Sequence, residues 1–229
     1  MGGFFETHFH TMEVSSCGRV PAAEGVRRYH AAGYDVIVVT DHYTEGFFGD
    51  MPADTSWRDK LDRYLTGWRA ARDAGGVLGM TVLLGLELRF AGSNNDYLVY
   101  GATPALLEAH PALYTLSPEV FSRFAKENGL WWAQAHPFRP GLTRCPPSCL
   151  DGLEVFNGNP RHDSHNGLAA AYAEEHGLTA IAGSDYHELP DLSGTGVRFH
   201  SEVTDNRTLL EGLRSGAFDI VRGAVPPIR

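Results

Sequence analysis

The side chains of this sequence best suited to chemistry are histidines and carboxylates in short motifs that follow apolar runs. Imidazole nitrogens and carboxylate oxygens are donors that divalent metals take in proteins. Donors at the ends of successive strands of a barrel-like sheet converge on one point. The pattern therefore predicts a site for more than one metal, and with it hydrolytic chemistry. The motifs are His8-Phe9-His10, Asp41-His42, Glu87, Ala135-His136-Pro137 and Ser184-Asp185-Tyr186-His187.

The first and last motifs each place two donors two positions apart. Residues i and i+2 of a strand point to the same face, so His8 and His10 can address one metal together. Asp185 and His187 repeat this spacing late in the chain. Both pairs are therefore expected to be metal ligands rather than solvated polar residues.

Glu87 closes a run of buried-type residues at positions 82–86. A carboxylate in such a place needs a partner, because a buried charge without one is costly. A metal is one possible partner, and a salt bridge to Arg89 is the alternative. His42 and Asp41 follow the second apolar run in the same way.

Taken in order, the five motifs resemble those of the PHP (polymerase and histidinol phosphatase) superfamily, over nearly the whole chain. The resemblance implies an α/β fold, a distorted seven-stranded (β/α) TIM-like barrel, in one domain over residues 1–229. It implies two or three divalent ions (zinc, manganese or iron), with Glu87 bridging two of them. It places a metal on His42 and leaves Asp41 to orient an imidazole. The expected catalytic residues are Asp185, His187 and Glu87.

Two positions depart from the common family pattern. Many members carry Ser-Asp or a later histidine after the first motif, and residues 11–18 contain neither. Glu13 is the nearest hard donor and the candidate replacement, with an exposed acidic side chain as the alternative. Asp96 stands where many members have a histidine after the glutamate motif. An oxygen donor there would favour manganese or iron over zinc.

The candidate ligands divide into three positions, of which the first and the third share Glu87. The third position depends on the Asp96 substitution, so a two-metal site is the alternative. The three sets are His8, His10, Glu87 and Asp185; His42, His187 and Glu13; and Glu87, Asp96 and His136.

Paired cations suit phosphoester hydrolysis, because they lower the pKa of bound water and neutralise charge in the transition state. Arg139 and Arg161 lie in polar loops and are candidate phosphate-binding residues. His165 is a further candidate, and either it or His162 could be the general acid. The alternative for residues 157–166 is a solvated turn that caps a helix. The aromatic group near residues 43–57 is either a pocket wall or core.

The leading hypothesis is a metal-dependent phosphoesterase that hydrolyses a small phosphomonoester, such as histidinol phosphate or a nucleotide, through metal-activated hydroxide. A small phosphorylated metabolite is then the partner. One alternative is a metal-dependent hydrolase of a cyclic ester or amide. Another is a non-catalytic metal-binding module. The net charge of −9 disfavours nucleic acid as a partner.

Length and composition fit one soluble domain with a sizeable core. No apolar stretch is long enough for a membrane span, and the N-terminus lacks a basic region. Cys17, Cys145 and Cys149 do not form a disulfide framework and are expected to be reduced. A cytoplasmic protein is therefore expected, and no oligomeric state is indicated.

Apolar runs alternate with amphipathic stretches, which favours a mostly parallel sheet. One helix is expected over residues 57–74, ended by Gly75-Gly76. Another should begin at Pro118, capped by Ser117. Four prolines in residues 137–148 predict a loop over the site.

Overall fold

The computed structural model describes residues 2–223 and shows a strongly curved mixed sheet with helices packed around it. The sheet nearly closes into a barrel, which confirms the α/β, TIM-like architecture. The strands are β1 (Phe4–Phe9), β2 (Val36–Val39), β3 (His42–Thr44), β4 (Thr81–Arg89), β5 (Asp96–Tyr100), β6 (Trp131–Gln134), β7 (Gly152–Asn157), β8 (Thr179–Gly183), β9 (Gly196–Phe199) and β10 (Phe218–Val221).

Eight α-helices lie in the described part of the chain, together with three short 3-10 turns. None of these helices is long and apolar enough to cross a membrane. The helices are α1 (Ala22–Ala31), α2 (Glu45–Gly49), α3 (Trp57–Tyr64), α4 (Thr66–Leu78), α5 (Pro104–Ala109), α6 (Pro118–Glu127), α7 (Asn166–His176) and α8 (Asn206–Ser215).

The strand order is β10-β9-β1-β2-β4-β5-β6-β7-β8, and β3 also pairs with β4. Pairings of β4 with β5 and β5 with β6 are antiparallel, as are those of β1 with β9 and β9 with β10. The sheet contains both parallel and antiparallel pairs. Within residues 2–223 it has ten strands, so the predicted number of seven is not exact. A short hairpin-like connection from Arg89 to Asp96 permits the β4–β5 pair.

The barrel closes at the metal motifs themselves. The amide of His10 donates to the carbonyl of Tyr186 (3.0 Å), and the amide of Tyr186 donates to the carbonyl of His8 (3.1 Å). These bonds tie the end of β1 to the segment that follows β8. Just before these two motifs, the hydroxyl of Thr7 donates a hydrogen bond of 2.8 Å to the carbonyl of Ala182, which is 175 residues away in the chain.

The expected helix at 57–74 is two helices that meet at Leu65, and the second runs through Gly75 and Gly76 to Gly79. Gly79 adopts φ +70°, so it takes the left-handed conformation that ends α4. The N-cap prediction at Ser117 is confirmed, since its hydroxyl accepts from Val120 N–H. The loop predicted over 137–148 is irregular except for a final 3-10 turn beginning at Pro147.

Candidate metal centre

Glu87, at the C-terminal part of β4, is surrounded by four histidines. Its Oε1 lies 3.1 Å from His8 Nε2 and 3.2 Å from His136 Nε2. Its Oε2 lies 2.6 Å from His42 Nδ1 and 3.5 Å from His10 Nε2. Each oxygen therefore faces a different pair of imidazoles, as a carboxylate that bridges two ions would.

Asp185 provides the second carboxylate of the cluster. Its Oδ1 lies 3.4 Å from His8 Nε2, 3.6 Å from His10 Nε2 and 3.4 Å from His187 Nδ1. Its Oδ2 accepts from Arg139 at 2.6 Å. One oxygen is thus free to face the histidines while the other is held from the opposite side.

Several donor atoms of the cluster are buried and make no hydrogen bond of regular geometry within residues 2–223, although His42 Nδ1 and Glu87 Oε2 lie 2.6 Å apart as an ion pair. Polar atoms in this condition are uncommon in proteins and costly, and here all but His136 Nδ1 lie around Glu87. The donor set therefore fits divalent ions. The atoms are His8 Nε2, His10 Nε2, His42 Nδ1, Glu87 Oε2 and His136 Nδ1.

Four groups of three residues have donor atoms within 4.8 Å of one another. Together they contain every predicted ligand except Glu13. The groups are His10, His42 and His187; His8, His136 and Asp185; His8, His10 and Glu87; and His42, Glu87 and Asp96.

Backbone conformation sets the two late ligands apart. His136 and Asp185 have φ values of +29° and +54°, a region that side chains other than glycine seldom occupy. Such conformations persist only where the surroundings enforce them, and they collect at functional sites. At His136 the amide also donates to Glu154 Oε2 (2.8 Å), which holds the residue in place.

The pKa shifts show how strongly these charges interact. Burial opposes a charge on His8, but the facing carboxylates, Asp185 first, hold its pKa well above the usual range. Burial and neighbouring imidazoles hold the pKa of His10 well below it. Although burial opposes this, His42 and His8 keep the pKa of Glu87 well below its usual value. Because a metal would displace protons from His8 and His42, metal affinity should rise with pH.

Glu154, in the middle of β7, was not among the predicted site residues. Its Oε1 lies 2.8 Å from His8 Nδ1, and its Oε2 accepts from Asn157 Nδ2 at 3.0 Å. A carboxylate on the far nitrogen fixes the tautomer and orientation of a metal-binding imidazole. The signal was available, because Glu154 interrupts the buried-type run 152–156 just as Glu87 ends its own.

We expect Glu154→Gln to weaken metal binding by about 10–100-fold, because an amide supports the His8 imidazole less well than a carboxylate. Competition with a chelating dye would measure the affinity. Glu175→Gln, at an exposed position on α7, is the matched control and should bind like the wild type. Equal affinities for both variants would show that Glu154 does not orient the ligand.

Asp41 acts on an imidazole through an intermediate residue. Its carboxylate accepts from the amide and hydroxyl of Thr11 and from Ser15 Oγ, each at 2.7 Å. Ser15 Oγ in turn lies 3.0 Å from His10 Nδ1. The predicted orienting role of Asp41 therefore has a physical route that runs to His10 through Ser15.

The two substituted positions behave differently. Glu13 does not join the cluster, because both of its carboxylate oxygens accept from the Ala22 amide at the start of α1, at 3.0 and 3.1 Å. Asp96 lies beside Glu87 and His42. Arg89, its partner in the β4–β5 register, binds both Asp96 oxygens at 2.7 Å. A metal at Asp96 would have to compete with this ion pair.

Cys17 lies where Glu13 was expected. Its Sγ is 3.1 Å from His42 Nε2, and Cys17 lines the same cavity as His187. Partial burial raises the pKa of the thiol, but hydrogen bonds with His187 and His42 outweigh it and lower the pKa to about 6. Reduced loop cysteines were expected, and all three cysteines are free. The position of Cys17 at the centre was not expected.

A cavity of about 180 Å³ opens over the metal cluster. Arg139, Arg161 and His162 line it, whereas His165 lies outside and pairs with Asp163 (3.0 Å). Burial and the Arg139 charge lower the pKa of His162, so a smaller fraction of it is protonated at neutral pH than of an ordinary histidine.

The arginines of this cavity are each held by a carboxylate. Arg139 pairs with Asp185, and Arg161 binds both oxygens of Asp191 at 2.7 and 2.9 Å. Asp191 also accepts from the His187 amide at 3.0 Å. These pairs fix the guanidinium groups in orientation, so they need not be ordered when a substrate binds.

A larger cavity of about 980 Å³ adjoins the first, and the two share Cys17, His42 and Arg89. Phe47 and Met51 contribute apolar wall, and Arg63 contributes charge. Of the four aromatic residues expected as wall or core, only Phe47 lines this cavity. Tyr43 and Phe48 are fully buried in the hydrophobic core, and Trp57 packs against that part of the core.

Sequence comparison adds a partial family similarity to this geometry. A family model described as PHP-associated matches residues 163–218. A search of curated proteins found no significant match. The barrel and its donor cluster define a protein built around a candidate polynuclear metal centre. With the matched region 163–218 and the five ordered motifs, they make this chain similar to proteins of the PHP superfamily.

Solved structures share the fold at low identity. A two-domain protein from Bacteroides vulgatus ATCC 8482, containing a predicted PHP-like metal-dependent phosphoesterase, aligns with TM-score 0.70 and 18% identity over 97% of this chain and 65% of that one. PsfC from Pseudomonas syringae PB-5123 gives 0.71 and 18%, over 98% and 93%. The lesion-specific endonuclease PfuEndoQ from Pyrococcus furiosus gives 0.61 and 13%, over 96% and 58%. This chain thus spans less than two thirds of the Bacteroides and Pyrococcus proteins.

Proposed function

We propose that this protein is a metal-dependent hydrolase that cleaves phosphomonoesters of small molecules. The observation that carries the proposal is the set of buried donors around Glu87 that have no hydrogen-bond partner within residues 2–223 and lie beside oriented arginines. Two or three divalent ions (zinc, manganese or iron), when bound, would supply a hydroxide near neutral pH and charge to stabilise the transition state.

The ligands that we propose are those that converge in the structure. His8, His10, Glu87 and Asp185 form one set, and His42 with His187 forms a second. His136 shares Glu87, and Asp96 adds to this third set only if Arg89 releases it. Arg139 and Arg161 would hold phosphate oxygens on the open side of the cavity. His162 takes the place that the sequence suggested for His165.

The adjoining cavity supports a substrate with a sizeable organic group. If the phosphoryl group binds over the donor cluster, the rest of the ester would extend past His42 and Arg89 into the larger cavity of about 980 Å³. This space suits a ring-bearing alcohol of the histidinol or nucleoside type. The free thiols fit a reducing compartment such as the cytoplasm.

The test is phosphate release from a panel of phosphomonoesters by protein loaded with manganese or zinc. We expect activity that requires metal and that Asp185→Asn abolishes, because the variant replaces a ligand. Asp73→Asn, exposed on α4, is the matched control and should retain activity. Failure of fully metallated protein to release phosphate from any monoester would refute the phosphomonoesterase proposal.

Two further substrate classes separate the alternatives. A cyclic ester or amide hydrolysed by the same metallated protein would support a neutral-substrate hydrolase, and that activity should survive Arg139→Gln better than phosphate release does. Because Arg139 also holds Asp185, metal affinity must be measured for this variant in parallel. An abasic duplex tests the nuclease relationship, and we expect no cleavage because the chain carries a net charge of −9. Metal binding without turnover of any substrate would indicate a non-catalytic module.

A further inference from the structure

We propose that Cys17 is a ligand of the ion held by His42 and His187, so that one position of the centre is a sulfur-containing, zinc-preferring site. This inference rests on metal binding at the proposed centre, and it is independent of which ester the protein cleaves.

The first argument is the position of the sulfur. Cys17 Sγ lies 3.1 Å from His42 Nε2, while the Nδ1 of the same ring faces Glu87, so this ion would take His42 through Nε2; Cys17 and His187 line the same cavity. Zinc–sulfur and zinc–nitrogen bonds of about 2.3 and 2.0–2.1 Å, at a tetrahedral angle, place two such donors about 3.5 Å apart. The observed separation needs only a small adjustment to reach that value.

The second argument comes from the neighbouring imidazoles. His10 is 1% exposed, and its Nε2 has no hydrogen-bond partner within residues 2–223. A donor atom of His10 lies within 4.8 Å of donor atoms of His42 and His187. A buried nitrogen without a hydrogen-bond partner, in a cluster of three imidazoles, indicates a cation at this end of the centre. Cys17 borders this cluster through His42.

The loop that carries Cys17 is fixed on both sides of it. Gly18 N–H donates to Ser15 O (2.9 Å), and Arg19 N–H donates to His187 O (2.8 Å). A Cβ on Gly18 would lie 2.7 Å from the Thr11 carbonyl oxygen, so the close approach of this part of the loop to Thr11 requires glycine there. The sulfur is therefore placed by backbone bonds and is not simply a surface thiol near histidines.

Chemistry then separates this position from the rest of the centre. Thiolate with imidazole favours zinc, whereas carboxylate oxygens suit manganese and magnesium. The sequence suggested a shift away from zinc because Asp96 replaces a histidine. At its own position Cys17 would favour zinc instead. Glu13, the oxygen donor expected there, accepts a hydrogen bond from the Ala22 amide and lies outside the cluster.

Cobalt substitution of the full chain tests the proposal. Wild type and Cys149→Ser should both show a near-ultraviolet sulfur-to-cobalt charge-transfer band beside the visible ligand-field bands. Cys17→Ser should keep ligand-field bands, lose the sulfur band and bind zinc about tenfold or more weakly. Cys17→Asp, which offers oxygen donors, should lose zinc affinity relative to manganese.

A second measurement needs no variant. Saturating zinc should slow alkylation of Cys17 in the wild type, as followed by peptide mass, and leave Cys149 unaffected. Cobalt binding without a sulfur band, or alkylation of Cys17 that zinc does not slow, would overturn the proposal and leave the remaining metal centre intact. Protein that binds neither ion would overturn both this proposal and the metal-dependent function.

Discussion

Replacing Glu87 by glutamine should lower metal-dependent activity by at least about 100-fold. Groups one step removed from a metal typically contribute about 10–100-fold, and Glu87 faces the donor atoms directly. Its oxygens lie between two pairs of imidazoles, Oε1 beside His8 and His136 and Oε2 beside His42 and His10. An amide keeps only one acceptor oxygen and presents an NH₂ donor on the other side. At least one of the two faces therefore loses its ligand.

Two measurements make this prediction specific. Activity at saturating metal should fall, and the rise in melting temperature that metal produces in the wild type should shrink, because binding to the native state is what stabilises it. Glu127→Gln, exposed at the end of α6, is the control and should change neither quantity. A variant with wild-type activity and an unchanged metal-induced rise in melting temperature would exclude a bridging role for Glu87.

The convergence of the donor cluster was largely predictable because its candidate ligands follow buried runs, where a histidine or carboxylate has few uses other than binding. His8, His10 and Glu87 were recognised in this way, and the structure brings them together. Glu154 carries the same signal within β7 and could have been recognised too. Its role beside His8 depends on strand order, because β7 reaches β1 only when the barrel closes.

The parts that sequence did not predict depend on conformation between motifs. Cys17 and Glu13 lie in one loop, residues 10–21, and which of them faces His42 is decided by backbone bonds of Gly18 and Arg19 that no spacing rule contains. The Arg89–Asp96 pair depends on the antiparallel register of β4 and β5. A mostly parallel sheet, as expected from the alternating pattern, would not have placed these two residues opposite each other.

Helix α4 shows how packing overrides local rules. Gly75 and Gly76 are expected to end a helix, yet both lie inside α4 because its inner face is packed against the sheet. Gly67, near its start, is buried against the Thr11–Asp41 pair. A Cβ at Gly67 would lie 2.0 Å from Thr11 Oγ1 and 2.8 Å from Asp41 Oδ2. The small residue thus lets α4 approach the hydrogen bonds that hold the His10 loop.

Gly67→Ala should therefore destabilise the fold by about 1–3 kcal/mol, the usual effect of overpacking, despite the better helix propensity of alanine. Gly76→Ala in the same helix has nothing within 4 Å of its Cβ and should stabilise the protein by about 0.5–1 kcal/mol. Urea unfolding of the metal-free proteins measures both changes. The test is whether the free energy of unfolding changes with opposite sign in the two variants, because both replace glycine by alanine in the same helix.

The two alanine variants should also differ in metal affinity. The Thr11–Asp41–Ser15 bonds end at His10 Nδ1, so a methyl group added at Gly67 would displace Thr11 and loosen a ligand on the far side of that network. We expect Gly67→Ala to weaken metal binding and Gly76→Ala to leave it unchanged. A destabilised Gly67→Ala protein with wild-type affinity would show that α4 supports the fold but not the centre. That result would confine the Asp41 network to holding β1 and β2 together.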